Sequence, residues 1–154
     1  MDVSGLDAAL AGVRRICLDS STCIAYHSTS EPVHPLARHL LHRIVDPEDP
    51  LLGYLSALSG MELLIRPIRA GGADLSFMHA FLGGFPNLHA LPIDLDVALQ
   101  AANVRALSRL PTADSLLIAS AMLANCGAIV TNDGEWHRRL RGSFPQFRWV
   151  YLAE

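Results

Sequence analysis

A chain of 154 residues, 51% hydrophobic and 18% charged, has enough apolar mass for a packed core. That excludes a disordered chain and points to one α/β domain over 1–154. The formal net charge of −3 excludes a general basic field for nucleic acid. All twelve basic residues are arginine and none is lysine. Arginine grips phosphate as a bidentate fork, although a biased base composition produces the same usage.

Cys17, Cys23 and Cys126 are odd in number and form no CxxC pair, which predicts reduced thiols in a cytoplasmic protein. Residues 1–15 place acids early and arginines late, the reverse of a secretory signal. The longest apolar stretch, LLGYLSALSGMELLI, contains Glu62 and is too short to cross a bilayer, so no membrane partner is expected.

In chain order, residues 5–13 predict a short amphipathic helix within an N-terminal extension, 1–13. A strand follows over Arg15–Asp19, and Ser20-Ser21-Thr22 starts a short helix. HPLARHLLHRIVD has Leu36, Leu40, Leu41 and Ile44 at helical spacing, with Arg38, His39, His42 and Arg43 on the other face. Residues 46–50 form a loop, LLGYLSAL a buried strand, and Gly60–Ile68 a helix ended by Gly71-Gly72. A helix over Ala73–Leu82, closed by Gly83-Gly84, leads to a strand in LHALPI. Asp94 caps a helix to about Leu107, and Thr112 caps a strongly apolar helix to about Asn125. AIVTND is a strand, Gly134–Leu140 a helix and RWVYL the last strand. Strands alternating with helices imply a short, mainly parallel sheet with helices on both faces.

Within that layout, the acids at four positions share one kind of place. Asp19 and Asp133 end apolar strands, whereas Glu62 and Asp114 fall in first turns of helices. Right-handed connections put a helix that feeds a strand with its N-terminus beside that strand's carboxyl end. Asp114 and Asp133 therefore share an edge, and the same reasoning brings Asp19 and Glu62 there. Each acid singly has an ordinary explanation as a helix cap or dipole partner. Ser59-x-x-Glu62 even matches a capping box. Together, four like charges at a dry edge require a cation. Hard oxygen donors suit Mg²⁺ or Mn²⁺, which can lower the pKa of water and neutralise a leaving oxygen.

The motif order carries a resemblance. Asp19-Ser20-Ser21 follows an apolar strand, then come Ser56-Ala-Leu-Ser59-x-x-Glu62-x-x-x-x-Pro67, PTADSLLIASAM at 111–122 and GAIVTND at 127–133. Over about residues 14–152 this resembles the PIN domain, specifically the VapC-type toxins of toxin–antitoxin pairs. The TND strand and the acid-headed apolar helix before it are its most specific parts. The resemblance implies an α/β/α sandwich and a Mg²⁺- or Mn²⁺-dependent endoribonuclease acting on RNA. Its catalytic and metal-binding quartet would be Asp19, Glu62, Asp114 and Asp133, with Ser20, Ser21 and Thr131 orienting ligands or water. It also implies a homodimer and a small antitoxin partner. Two departures stand out: Gly134-Glu135-Trp136 follows Asp133, and Thr112-Ala113 rather than proline precedes Asp114.

Arg66, Arg69, Arg138, Arg139 and Arg141 lie a few residues beyond the acids and are candidates for RNA phosphates, or simply a solvated face. His39-x-x-His42 has the spacing of a metal clip but sits on a polar helix face with no third ligand nearby. Trp136 and His137 fit packing of the last helix better than base stacking, and Leu36, Leu40 and Ile44 fit the core. The main alternative is a catalytically inactive PIN-fold module that binds RNA or a protein partner. A phosphate-accepting receiver domain is excluded because it needs a lysine, and nucleases of structured DNA usually carry larger insertions.

Overall fold

The structure, a computed structural model, describes residues 1–72 and 74–154. Its elements in order are α1 (Val3–Leu10), β1 (Arg15–Leu18), α2 (Ser20–His27), α3 (His34–Val45), β2 (Leu52–Ser56), α4 (Ala57–Arg69) and α5 (Leu75–Gly84). Then follow β3 (Leu88–Leu91), α6 (Leu95–Ser108), α7 (Thr112–Leu123), β4 (Ala128–Thr131), α8 (Gly134–Leu140) and β5 (Arg148–Tyr151). All strand pairs are parallel, in the order β3-β2-β1-β4-β5.

The chain steps outward from β1 to β3, then crosses to β4 on the other side of β1. The point where the winding reverses lies between β1 and β4, where open α/β sheets hold ligands beyond the strands' carboxyl ends. Because both neighbours of β1 are strands and both faces are covered, Ile16, Cys17 and Leu18 are all buried, without alternation. Their side chains still divide between the faces. Ile16 and Leu18 pack with Leu40, Ile44 and Phe81 from α3 and α5, whereas Cys17 packs with Ile118, Trp136 and Leu140 from α7 and α8. In β4, Ala128 and Val130 join the first layer and Ile129 the second. The result is an α/β/α sandwich, as the alternating pattern predicts.

Several boundaries differ from expectation. The apolar run 51–58 is a strand only to Ser56, whose hydroxyl accepts from the Leu58 N–H and starts α4 at Ala57. Glu62 therefore sits in the second helical turn, and Ser59 is buried inside the helix rather than capping it. The predicted capping box does not form. Gly83 and Gly84 belong to α5 instead of closing it, and the expected start of that helix, residue 73, lies outside the described residues. Pro111, not Thr112, occupies the N-cap of α7.

His39 is not simply solvated. Asp7 of α1 bonds His39 Nε2 at 2.9 Å and Arg43 at 2.9 Å, and Arg43 Nε donates to Asp49 at 2.8 Å. This cluster fastens the N-terminal helix to α3. The three cysteines are buried free thiols. Burial pushes Cys17 and Cys23 well up and Cys126 up to about 12, which leaves them unreactive.

Gly53 admits the close packing of β2 on α3: a Cβ there meets Ile44 Cδ1 at 2.9 Å and Leu88 Cδ1 at 3.1 Å. Gly53→Ala should cost about 1–3 kcal/mol in urea unfolding. The Asp49 carboxyl is held below its usual range, first by its hydrogen bond from Arg43. A depressed folded pKa adds stability above the unfolded value that is lost as pH falls through the folded one. Asp49→Asn should thus cost about 1 kcal/mol at neutral pH. In denaturant titrations in strong acid, the difference from wild type should vanish.

Candidate active site

Asp19, Glu62, Asp114 and Asp133 all line one cleft of about 200 Å³ at the carboxyl edge of β1 and β4. Ser20, Ser21, Leu58, Ser59, Ala113, Leu117 and Trp136 complete its wall. Four separate elements deliver the acids. Asp19 ends β1 and precedes α2, Glu62 comes from α4, Asp114 from the first turn of α7, and Asp133 from the end of β4.

Asp19 is the most tightly held. It occupies the N-cap position of α2 yet caps nothing with its side chain. Instead its Oδ2 accepts from Ser21 Oγ at 2.6 Å and from Thr131 Oγ1 at 2.9 Å, while Ser20 Oγ stands at 3.5 Å from Oδ1. Ser21 Oγ in turn accepts from the Asn132 N–H at 2.8 Å, and Thr131 Oγ1 from the Asp133 N–H at 3.0 Å. These short residues knit the ends of β1 and β4 into one frame. The orientation it imposes leaves Oδ1 of Asp19 with only the long Ser20 contact.

Asp133 serves as a helix cap, the ordinary reading open to it, while also lining the cleft. Its Oδ1 accepts from the Glu135 and Trp136 N–H groups at 2.9 Å each, a cap on α8. Oδ2 makes no such bond. Glu62 is exposed and, with no capping box, has no cap to explain it. Asp114 is half-buried and ion-paired with Arg139 of α8. Burial pushes its carboxyl above the usual range. Arg139 and the nearby Trp136 indole oppose that rise, and Asp19 and Asp133 add to it by charge repulsion.

The predicted arginines scatter. Arg139 alone reaches the acids. Arg138 donates to the Gly134 carbonyl and, with Arg141, His137 and Tyr151, lines a separate pocket beyond α8. Arg66 lines a cavity of about 480 Å³ between α2, α4 and α5, with His27 and Phe77. Arg69 is exposed and lines none of these. Trp136 and His137 pack as expected, on Trp149 and Tyr151 respectively. Trp136 also forms part of the cleft wall.

Sequence reasoning missed Asn132 and Tyr151. Asn132 Oδ1 is buried without a partner, and a Cβ at Gly134 would meet the Tyr151 hydroxyl at 2.8 Å. That contact explains the glycine after Asp133: nothing larger lets α8 start so close to β5. The Asn132 signal lay within the TND motif. The contact with Tyr151 depends on strand pairing and left no local trace.

The donors of the cleft are all carboxylate and hydroxyl oxygens, a set that fits a hard divalent cation and not zinc or copper. Among the described residues no three His, Cys, Asp or Glu side chains are drawn together into a ready metal cluster. The cation present at Asp114 is Arg139.

A parallel sandwich with an acid-lined cleft at its winding reversal belongs to the α/β domains that work from the carboxyl edge of their sheet. The model of the PIN domain family matches residues 16–141, and the chain belongs to that family. No curated protein matches it. Among solved structures it is similar to VapBC2 from Rickettsia felis bound to a promoter DNA fragment, with a TM-score of 0.65 at 14% identity. That alignment covers 89% of this chain and 98% of the other. A toxin–antitoxin complex from Klebsiella pneumoniae gives 0.63 at 15% identity, over 89% and 97%. The Mycobacterium tuberculosis toxin VapC20, which cleaves the sarcin–ricin loop, gives 0.61 at 18%, over 80% and 93%. At these identities the likeness is one of fold.

A carboxyl whose pKa is raised by folding favours the native state below its unfolded pKa, an advantage lost as pH rises through the folded value. Asp114→Asn should therefore melt no lower than wild type at neutral pH, and any gain should disappear on acidification. Thermal melts at the two pH values check this. Gly134→Ala should lower the melting temperature, by about 1–3 kcal/mol of stability, because α8 must move off Tyr151.

Proposed function

We propose that this protein is a divalent-metal-dependent endoribonuclease, the toxin of a VapBC-type pair, with Asp19, Glu62, Asp114 and Asp133 as its catalytic carboxylates. The observation that carries the reading is the meeting of these four side chains, from widely separated positions, on one cleft at the winding reversal. Membership of the PIN family and the toxin–antitoxin complexes among its structural neighbours support it.

Mg²⁺ or Mn²⁺ bound there would supply charge neutralisation and a more acidic water for attack on phosphorus. The protein's part is positioning. Ser21 and Thr131 fix one oxygen of Asp19 and leave the other for the cation or water. The cap on α8 fixes Asp133 in the same way. Ser20 stands beside the free Asp19 oxygen to orient a ligand. Trp136 and Leu117 form an apolar wall that lowers the local dielectric and strengthens each charge interaction. Water adds to phosphorus as the 3′ oxygen departs, which leaves a 5′-phosphate and a 3′-hydroxyl. Arg66, Arg69 and Arg138 lie outside the cleft and would meet RNA phosphates only away from the acids.

A small antitoxin and a second copy of the chain are the proposed protein partners. Met61, Ile65, Ile68 and Phe77 expose apolar surface on α4, the helix that carries Glu62, and on α5, of the kind a partner covers. No described helix is long and apolar enough to cross a membrane.

The looseness of the acid group favours a second reading, a PIN-fold module that binds RNA or a partner without cleaving it. Incubating structured RNA with the purified chain separates the two. Cleavage should require Mg²⁺ or Mn²⁺, stop with EDTA, and fall at least ~10²-fold in Asp114→Asn while the fold persists. Undiminished hydrolysis by that variant refutes the assignment. A wild-type chain that neither cleaves nor gains thermal stability with metal supports the inactive module.

A further inference from the structure

The Asp114–Arg139 pair carries an inference of its own. Three consecutive features fix where Arg139 stands. Asp133 locks the first turn of α8, Trp136 is pinned against Trp149, and Leu140 is buried in the same layer. The helix therefore cannot rotate, and of its arginines only Arg139 meets an acid of the cleft. The two partners are unequally buried. The Asp114 side chain is 18% exposed and that of Arg139 46%. The carboxylate is held in the wall, whereas the guanidinium comes in from the rim on a flexible stem.

Asp114 stands near the like charges of Asp19 and Asp133, so the cleft needs positive charge even at rest. Arg139 provides it. Arg139 holds Oδ2 of Asp114, and a divalent cation drawn to that oxygen repels the guanidinium, so the two compete for one atom. We propose that Arg139 is a resident counter-ion that a divalent metal must displace from Asp114, and that the freed guanidinium then pairs with an RNA phosphate at the rim. The proposal rests on the functional reading above and adds an exchange of partners that the reading does not require. It also explains why the acids line the cleft without forming a tight cluster: one of them is already engaged.

The test is calorimetric titration of Mn²⁺ into the full chain and into Arg139→Gln and Arg138→Gln. Both variants remove one positive charge from α8, but only the first frees Asp114. Arg139→Gln should bind Mn²⁺ about three- to fivefold more tightly, the equivalent of one half-exposed ion pair removed. Arg138→Gln, which removes the same charge and a bond to the Gly134 carbonyl but touches no acid of the cleft, should gain less than about twofold. In protein labelled with ¹⁵N-arginine, the Nε signal missing from Arg139→Gln should shift as Mg²⁺ is added to wild type. Equal gains in both variants, weaker binding by Arg139→Gln, or an Arg139 signal that ignores Mg²⁺ overturns the exchange and leaves the nuclease reading standing. A wild-type chain that binds no Mn²⁺ brings down both.

Discussion

The carboxylate of Asp19 ties the two halves of the sheet together. It leaves the end of β1, and its Oδ2 is bound by Ser21 on its own helix and by Thr131 at the end of β4. β1 and β4 are the strands between which the winding reverses. Beyond the ladder, their ends are joined by this hydroxyl–carboxylate bridge, by Thr22 Oγ1 donating to the Val130 carbonyl and by the Asn132 N–H donating to Ser21 Oγ. Together they place Asp19 beside Asp133. The helices that carry Glu62 and Asp114 then close the remaining sides of the cleft. A site assembled this way inherits the rigidity of the central strands, whose side chains are buried on both faces.

The same arrangement sets an electrostatic problem. Asp114 is raised by burial and by the charges of its neighbours, so folding disfavours its ionised form. Functional sites commonly hold such unfavourable groups, and the stability they cost is offset elsewhere in the fold. Here part of the remedy is internal, since Arg139 lies against the carboxylate. The cleft is thus compensated at rest by a monovalent cation on a movable stem.

Family membership and local chemistry contribute different things. The family model matches residues 16–141, the span within which all four acids of the cleft fall. It says nothing of why glycine follows Asp133, which the approach of Tyr151 explains. Nor does it account for the attachment of α1 through Asp7 to His39 and Arg43, outside the matched span on its N-terminal side. These are features of this chain, and they bear on how α8 and α3 are held.

The alternation of apolar strands and amphipathic helices, read from hydrophobic period alone, determined the layered α/β class and the edge on which the acids would collect. Period is local information, and burial on both faces leaves the continuous apolar runs seen in Ile16–Leu18 and Ala128–Val130. What local pattern did not decide was which serine, Ser56 or Ser59, would cap α4. Ser56 does so because the strand ends there, and that moved Glu62 out of the first turn. Local pattern was equally silent on the pairing of Arg139 with Asp114, which are 25 residues apart in the chain. Such contacts depend on how helices from opposite ends of a crossover come to lie together. Only the packed structure resolves them, because charge attraction acts through space and leaves no period in the sequence.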